Sequence, residues 1–288
     1  MKKRIVALFI IVALVISVPL LGVSAQKTIK GVALGDSVPA FYGVDEEDGY
    51  VAQLSELLKA KKIPNDFTNL AVSGLNTQTL LVQLSQEEQL NQTYGDKVWE
   101  AIKGADIITL NIGGNNILTP FIEMMINDLK ALKITDITKA SPVVLMAFAG
   151  KKLTEKQISS LMKGVTQFNE DFPEIIEILH KAAPNAEIYV NTVYNPIPSM
   201  LGIYEASEIL IPLINDYIIE NAEELGYTVV DIYSVFKEST DIITNFSIVS
   251  GSVDIHPNAA GHALIAEAVN AEMTKKAVAD DVANKAKK

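Results

Sequence analysis

The sequence predicts an α/β fold in which helices cover both faces of a mostly parallel β-sheet. Two observations carry this prediction: short runs rich in β-branched residues alternate with longer segments whose apolar residues recur at helical spacing. Such alternation is typical of α/β proteins. With 288 residues, of which 49% are hydrophobic, the chain is long enough to bury one substantial core. We therefore expect one domain over residues 26–288.

The strand candidates are short and apolar enough to be buried on both faces of a parallel sheet. They cover residues 29–34, 67–71, 106–112, 187–192 and 228–232. Five such strands between helices make a three-layer sandwich around a mostly parallel, flavodoxin-like sheet.

The helix candidates carry apolar residues at a period of about 3.6. They cover residues 50–61, 78–85, 96–104, 154–181, 206–225 and 259–278. Thr154, three residues before Gln157, predicts a capping box at one helix start. No linker rich in Pro, Gly or Ser and no internal repeat divides the chain, which agrees with a single domain.

The N-terminus has the pattern of a secretory signal peptide. Basic residues at 2–4 precede an unbroken apolar run over 5–23, and small residues lead up to Ala25. We expect residues 1–25 to direct export, so that the protein is secreted and extracellular. The apolar run is also long enough to approach a membrane span, and an uncleaved anchor in the cell membrane is the alternative.

Charge and cysteine content narrow the classes of function. The net charge of −11 argues against nucleic acid as a partner. The absence of Cys excludes disulfide bonds, a lipidated cysteine and a thiol nucleophile. Contact with a membrane surface and the oligomeric state are left open by the sequence.

A long apolar connection over residues 117–153 exceeds what a minimal crossover needs. It forms either a lid or cap inserted over a site, or ordinary core helices that cover one face of the sheet. The sequence favours neither interpretation.

Polar residues of the kinds used in catalysis stand at the ends of the predicted strands. The first strand runs directly into Gly35-Asp36-Ser37, which places the Ser37 hydroxyl at the carboxyl edge of the sheet. Taken alone, this serine is more typical of a helix N-cap. His256 precedes the last helix, in a loop that can face the same edge.

Two further segments follow the second and third strands, and end in Gly74 and in Gly113-Gly114-Asn115-Asn116. Together with Gly35-Asp36-Ser37 and residues 254–257, these segments resemble the four ordered blocks of the SGNH/GDSL hydrolase family. Each block is weak by itself, but four in the family's order are a specific signal.

The resemblance implies a serine esterase or lipase-like hydrolase that cleaves carboxylic esters through an acyl-serine intermediate. In this family's pattern Ser37 is the nucleophile and His256 its general base. The oxyanion donors are the N–H groups of Ser37 and Gly74 and the side-chain amide of Asn115. We expect no cofactor and no metal site, because Pro257 interrupts regular structure between the two histidines nearest the C-terminus.

Two positions depart from the family's pattern. Asn116 stands where the family usually has Asp, and we interpret that position as structural. Val253 stands where the family has the Asp that orients the histidine, while the nearest carboxylate, Asp254, lies one residue later. Either Asp254 completes a triad with His256, or a backbone carbonyl near Ser252 holds the imidazole and leaves a dyad.

The substrate is the least determined feature. The loop over 194–204 is rich in apolar and aromatic residues, and it either rims the site to receive an acyl or aryl group or simply covers the core. Esters of lipids or small acyl groups are the leading prediction. The alternatives are deacetylation of a carbohydrate or cell-wall polymer and a catalytically silent binding protein of the same fold.

Overall fold

The sheet has five parallel strands in the spatial order β2-β1-β3-β4-β5. The computed structural model describes residues 26–86, 98–131, 133, 144, 147, 150–247 and 254–286. The strands are β1 (Ile29–Gly35), β2 (Asn65–Asn69), β3 (Ile107–Asn111), β4 (Glu187–Asn191) and β5 (Thr228–Val230). This order is that of a flavodoxin-like fold, as predicted. The predicted signal at 1–25 lies outside the described residues.

Helices flank the sheet on both faces. Those in the described residues are α1 (Tyr50–Ala60), α2 (Thr77–Ser85), α3 (Val98–Lys103), α4 (Gly114–Ala131), α5 (Glu155–Ala182), α6 (Tyr204–Glu220), α7 (Ala222–Leu225), α8 (Ile232–Glu238) and α9 (Ala259–Ala286). None of them has the length and apolarity that a bilayer span requires.

Two apolar cores lie on opposite faces of the sheet. On one face, side chains of α1, α8 and α9 such as Leu54, Phe236 and Ile265 pack together. On the other face, side chains of α2, α5 and α6 such as Phe168 and Ile214 pack on the strands. Burial of side chains on both faces explains why β1, β3 and β4 have apolar runs, and the predicted three-layer sandwich is confirmed.

Several element boundaries differ from the prediction. β2 begins at Asn65 rather than 67, and the last helix continues to Ala286. The helix predicted over 206–225 starts at Tyr204 and is interrupted at Asn221, whose side chain donates to the Tyr217 carbonyl (2.8 Å). Such a side-chain bond to the backbone competes with helix continuation.

Side-chain caps determine where two of the helices begin. The predicted capping box of α5 is confirmed, because Thr154 and Gln157 exchange side-chain and backbone hydrogen bonds. The strand predicted over 228–232 instead ends at Val230. There the Asp231 side chain accepts the Ser234 N–H (3.1 Å) and starts α8.

The described part of the segment 117–153 consists mainly of α4, which packs against α5 and α6. The other described residues of this segment are 133, 144, 147 and 150–153. The prediction of a lid otherwise falls on residues outside the described part of the chain.

The strand order places a crevice at the carboxyl edge of the sheet between β1 and β3. The chain moves from β1 outward to β2, and then from β3 outward in the other direction. Open α/β sheets bind ligands at such a switch point. The turns after Gly35 and Asn111 meet there.

Candidate active site

The turn that follows β1 presents Ser37 at the sheet edge. Gly35 has a φ of +127°, and a side chain there would lie 1.9 Å from the Asn111 carbonyl oxygen, so only glycine fits between the two strands. The Asp36 N–H donates to that same carbonyl (3.0 Å), and the Asp36 carboxylate accepts the Val38 N–H (3.1 Å). These bonds fix the backbone on both sides of Ser37.

Ser37, His256 and Asp254 form a continuous hydrogen-bonded chain. Ser37 Oγ lies 3.0 Å from His256 Nε2, and His256 Nδ1 lies 2.5 Å from Asp254 Oδ1. Ser37 is 219 residues from His256 in sequence, so the contact depends on the tertiary fold. The arrangement joins a hydroxyl, an imidazole and a carboxylate in the geometry of a nucleophile, a base and an orienting acid.

A local turn explains how an aspartate two residues before the histidine reaches its ring. Asp254 Oδ1 also accepts the backbone N–H of His256 (3.0 Å), which is the Asx-turn pattern of a side chain bonded two residues onward. The turn holds the carboxylate beside Nδ1 of the imidazole. Of the two alternatives left open by the sequence, the structure has Asp254 at Nδ1, whereas Ser252 lies outside the described residues.

The loop that carries His256 is tied to three other parts of the site. The Asn245 N–H donates to the His256 carbonyl (2.9 Å), and the Asn245 side chain donates to the Gly43 carbonyl (3.0 Å). The Tyr194 hydroxyl donates to the Ile255 carbonyl (3.0 Å). These bonds restrict the movement of the imidazole relative to Ser37.

Tyr42 and Tyr194 add aromatic surface around the histidine. The Tyr42 ring lies 4.3 Å from the imidazole, centroid to centroid. Tyr194 is buried, and burial together with the charges of Asp36 and Asp254 holds the pKa of its hydroxyl well above the ordinary value. The hydroxyl therefore remains a donor to the loop at any working pH.

Two backbone N–H groups are available beside the crevice. Gly74 has a φ of +87°, and a Cβ there would meet no atom within 4 Å, so its surroundings are open. Within the described part of the chain, neither the Gly74 N–H nor the Ser37 N–H donates to an acceptor. The backbone angle explains the need for glycine at position 74.

Asn115 and Asn116 face different ways at the start of α4. Asn115 lines the cavity next to Ser37, and its Nδ2 donates to the Leu75 carbonyl (2.9 Å), one residue after Gly74. Asn116 accepts the Thr77 N–H (3.1 Å) and donates to the Thr77 hydroxyl (2.7 Å). Asn116 therefore stabilises the start of α2, a structural arrangement that agrees with our interpretation of this position.

Asp36 is a buried acid directly beside the predicted nucleophile. Burial raises its pKa to about 7, and the hydrogen bonds from the Val38 N–H and the Asn111 amide (3.0 Å) oppose that rise. Burial therefore disfavours the charged form of this carboxyl relative to that of an exposed aspartate. The other histidine of this region, His262, is fully buried in α9, and its Nδ1 accepts the N–H of Tyr50 (3.2 Å).

A cavity of about 670 Å³ opens at Ser37 and His256 and is lined mostly by apolar side chains. One face of α4 forms a wall with Ile117, Leu118, Phe121, Ile122 and Met125. The loop after β4 contributes Tyr194, Pro196, Ile197, Leu201 and Ile203. The loop predicted to rim the site thus lines it, and the volume is that of a small-molecule site.

The geometry agrees with the family indicated by the sequence motifs. The model of the GDSL-like lipase/acylhydrolase family matches residues 33–264, which include every block named above. The chain belongs to this family. It is accordingly an α/β serine hydrolase that acts on ester bonds, and the predicted resemblance is confirmed.

Relatives of this GDSL hydrolase are distant in sequence. The uncharacterized protein YpmR of Bacillus subtilis (strain 168) is 24% identical over 243 residues, which cover 82% of this chain and 78% of that protein. The lipase Lip_vut3 from a goat rumen metagenome has a TM-score of 0.59 at 20% identity, over 85% of this chain and 97% of its own. An extracellular lipase of Streptomyces rimosus has a TM-score of 0.56 at 18% identity, over 85% of this chain and 100% of its own. These structures share the fold.

Sequence reasoning missed the residues that position the histidine loop of this GDSL hydrolase. Tyr42, Asn245 and Tyr194 contact His256 or its neighbour Ile255, but none belongs to a motif block. Their contacts span tens to hundreds of residues, so no local pattern marks them.

Proposed function

We propose that this GDSL hydrolase cleaves carboxylic esters with an extended acyl chain through an acyl-Ser37 intermediate. The observation that carries the proposal is the position of the Ser37 hydroxyl, which lies 3.0 Å from His256 Nε2 in the lining of a largely apolar cavity. A nucleophile paired with a base supplies the covalent chemistry, and the cavity supplies binding for hydrocarbon.

The mechanism follows from the atoms in place. His256 Nε2 accepts the proton of Ser37 Oγ as that oxygen attacks the ester carbonyl carbon. Asp254 keeps Nδ1 protonated and stabilises the imidazolium that forms. The imidazolium then gives its proton to the leaving alcohol, and the acyl group remains on Ser37. A water molecule activated by His256 repeats the sequence and releases the acid.

The oxyanion of each tetrahedral intermediate is stabilised by three donors in this proposal: the N–H groups of Ser37 and Gly74 and the second amide hydrogen of Asn115. The free backbone donors support this assignment, as does the bond from Asn115 to Leu75 that holds its amide at the crevice. Donors fixed before the reaction stabilise developing charge without reorganisation.

The size and lining of the cavity favour an acyl chain over an acetyl group. An acetyl group would leave most of the apolar wall from Ile117 to Met125 without a partner. Each buried methylene contributes about 0.8 kcal/mol, so the wall favours longer chains. This argues against the deacetylation of carbohydrates, for which a small, more polar site suffices.

The test is ester hydrolysis by the purified full-length protein, with a fluorophosphonate probe as a second readout. Ser37→Ala should abolish labelling and lower kcat by about 10⁴-fold or more. Ser207→Ala is the matched control, because Ser207 also lines the cavity but donates to the Tyr204 carbonyl (2.7 Å). Labelling that survives in Ser37→Ala, or a folded parent inactive on every ester, would refute the proposal.

A second variant tests the role of the carboxylate. Asp254→Asn should lower kcat by roughly 10³-fold or more, because the amide cannot stabilise an imidazolium and can hold the wrong tautomer. Near-normal activity in Asp254→Asn would instead establish a dyad of Ser37 and His256.

We also propose that residues 1–25 direct export and are then removed. The basic start, the apolar run and the small residues before position 26 support this proposal. Mass spectrometry of the full-length chain expressed in a bacterial host should find Gln26 as the new N-terminus. An intact N-terminus in the membrane fraction would show an uncleaved anchor instead.

A further inference from the structure

Three side chains that line the apolar cavity also border a second, smaller space. Phe121, Met125 and Leu153 line the large cavity and also a recess of about 40 Å³. Side chains that line two neighbouring spaces stand between them. We call Phe121, Met125 and Leu153 the end wall.

The recess beyond the end wall contains charged and polar side chains beside apolar ones. Apart from Met124, its remaining lining residues are Asp128, Lys151, Lys152 and Gln157. A hydrocarbon chain that passed the end wall would take these groups out of water without replacing their hydrogen bonds, which is unfavourable. Steric and polar barriers therefore coincide at the same place.

The segment that contributes Leu153 to the end wall contacts the start of α6 and the residues before it. Lys152 forms an ion pair with Glu205 at the start of α6 (2.5 Å). A side chain on Gly202 would lie 2.3 Å from the Gly150 carbonyl oxygen, so the backbones of the two segments are in direct contact. The segment that carries Leu153 is thus fastened to the loop that lines the cavity.

The length of the cavity follows from the helix that forms its wall. Asn115 lies beside Ser37, and Met125 is ten residues further along α4, which corresponds to about 15 Å at the rise of an α-helix. A carbon–carbon bond is about 1.5 Å long and advances a zigzag chain by less than that, so about 12 carbons fit along the wall.

We propose that the end wall sets the longest acyl chain that the enzyme accepts, and that its substrates are esters of linear fatty acids of up to about 12 carbons. The inference rests on the proposed function, since the acyl chain must start at Ser37. It goes further by assigning the limit to Phe121, Met125 and Leu153.

The test compares kcat/KM over a series of p-nitrophenyl esters from butyrate to palmitate. The parent should lose activity beyond about 12 carbons. Met125→Ala should raise kcat/KM for the 14-carbon ester by about 15-fold, since each of its two methylenes beyond 12 carbons contributes about fourfold when it is buried. Leu153→Ala opens the wall from the other side and should act in the same direction. Circular dichroism and the urea unfolding midpoint report that each variant is folded.

Met124→Ala is the matched control, because Met124 lines the recess but not the large cavity. It removes the same atoms one residue away and should leave the chain-length profile unchanged. An unchanged profile in both Met125→Ala and Leu153→Ala, or an equal shift in Met124→Ala, would overturn the proposal.

A binding measurement separates this proposal from the proposed function. Linear methyl ketones present a carbonyl without a leaving group, and calorimetry measures their binding without turnover. In the parent, the affinity for the ketones should rise up to about 12 carbons and no further. In Met125→Ala it should continue to rise for longer chains. This result supports the end wall even if no ester is cleaved. Hydrolysis without any length limit in ester or ketone series would refute the end wall and leave the esterase proposal standing.

Discussion

The buried imidazole of His262 should make the fold sensitive to acid. Its ring is 0% exposed, and Nδ1 accepts the N–H of Tyr50, the first residue of α1 (3.2 Å). That bond requires an unprotonated Nδ1. Burial lowers the pKa of His262 from 6.5 to about 4, and nearby His256 adds a smaller contribution in the same direction. Protonation would place an unpaired charge in the core and remove the acceptor for Tyr50.

The sign of the effect follows from the lowered pKa. The unfolded chain binds this proton near pH 6.5, whereas the folded protein binds it only near pH 4. The contribution to stability is therefore complete above pH 6.5 and is lost as the pH falls toward 4. The difference between the two pKa values corresponds to about 3 kcal/mol of unfolding free energy at pH 4.

Urea unfolding of the parent and of His262→Asn at pH 7.5 and pH 4 provides the assay. The Asn side-chain oxygen can accept the Tyr50 N–H but does not titrate, and the carboxylates of both proteins titrate alike. On acidification the parent should lose about 3 kcal/mol more than the variant. Equal losses, or a smaller loss in the parent, would refute the assignment of acid sensitivity to His262.

Three further substitutions test other parts of the structure. Gly164→Ala should lower the unfolding free energy by about 2 kcal/mol or more, because its Cβ would lie 1.8 Å from the Asn116 carbonyl oxygen where α4 crosses α5. Urea denaturation measures this loss, and an unchanged midpoint would contradict this packing. Tyr194→Phe removes the hydrogen bond from the hydroxyl to the Ile255 carbonyl. It should lower kcat/KM by about fivefold, the equivalent of one hydrogen bond of about 1 kcal/mol. Kinetics like those of the parent would show that this bond does not position the loop. Asp36→Asn keeps the acceptor oxygen but removes the ionisable group. Because burial raises the pKa of Asp36 to about 7, the parent loses stability as the pH rises toward that value. The variant should be more stable than the parent by about 4 kcal/mol at pH 8 and by much less at pH 4, and a constant difference across this range in urea unfolding would be inconsistent with burial of the charge.

The fold class, the order of the elements and the candidate site residues could be predicted from the sequence. Apolar runs buried on both faces, as in β1, β3 and β4, were recognisable from local pattern alone. β2 is polar and partly exposed, and it was predicted two residues too late. The blocks around Ser37, Gly74, Asn115 and His256 were recognisable because the chemistry needs those residue types directly after strands or before the last helix. The capping box at Thr154 was likewise a local signal.

The tertiary structure alone decided how those groups are assembled. Whether Asp254 reaches the imidazole depends on the turn of one loop, and the sequence left a backbone carbonyl near Ser252 open as the alternative partner. The bonds from Asn245 and Tyr194 to the histidine loop bring together separate segments of the chain, as does the shared lining of the end wall by Met125 and Leu153. Local propensity carries no information about such contacts, because they exist only once the two cores have closed on the sheet.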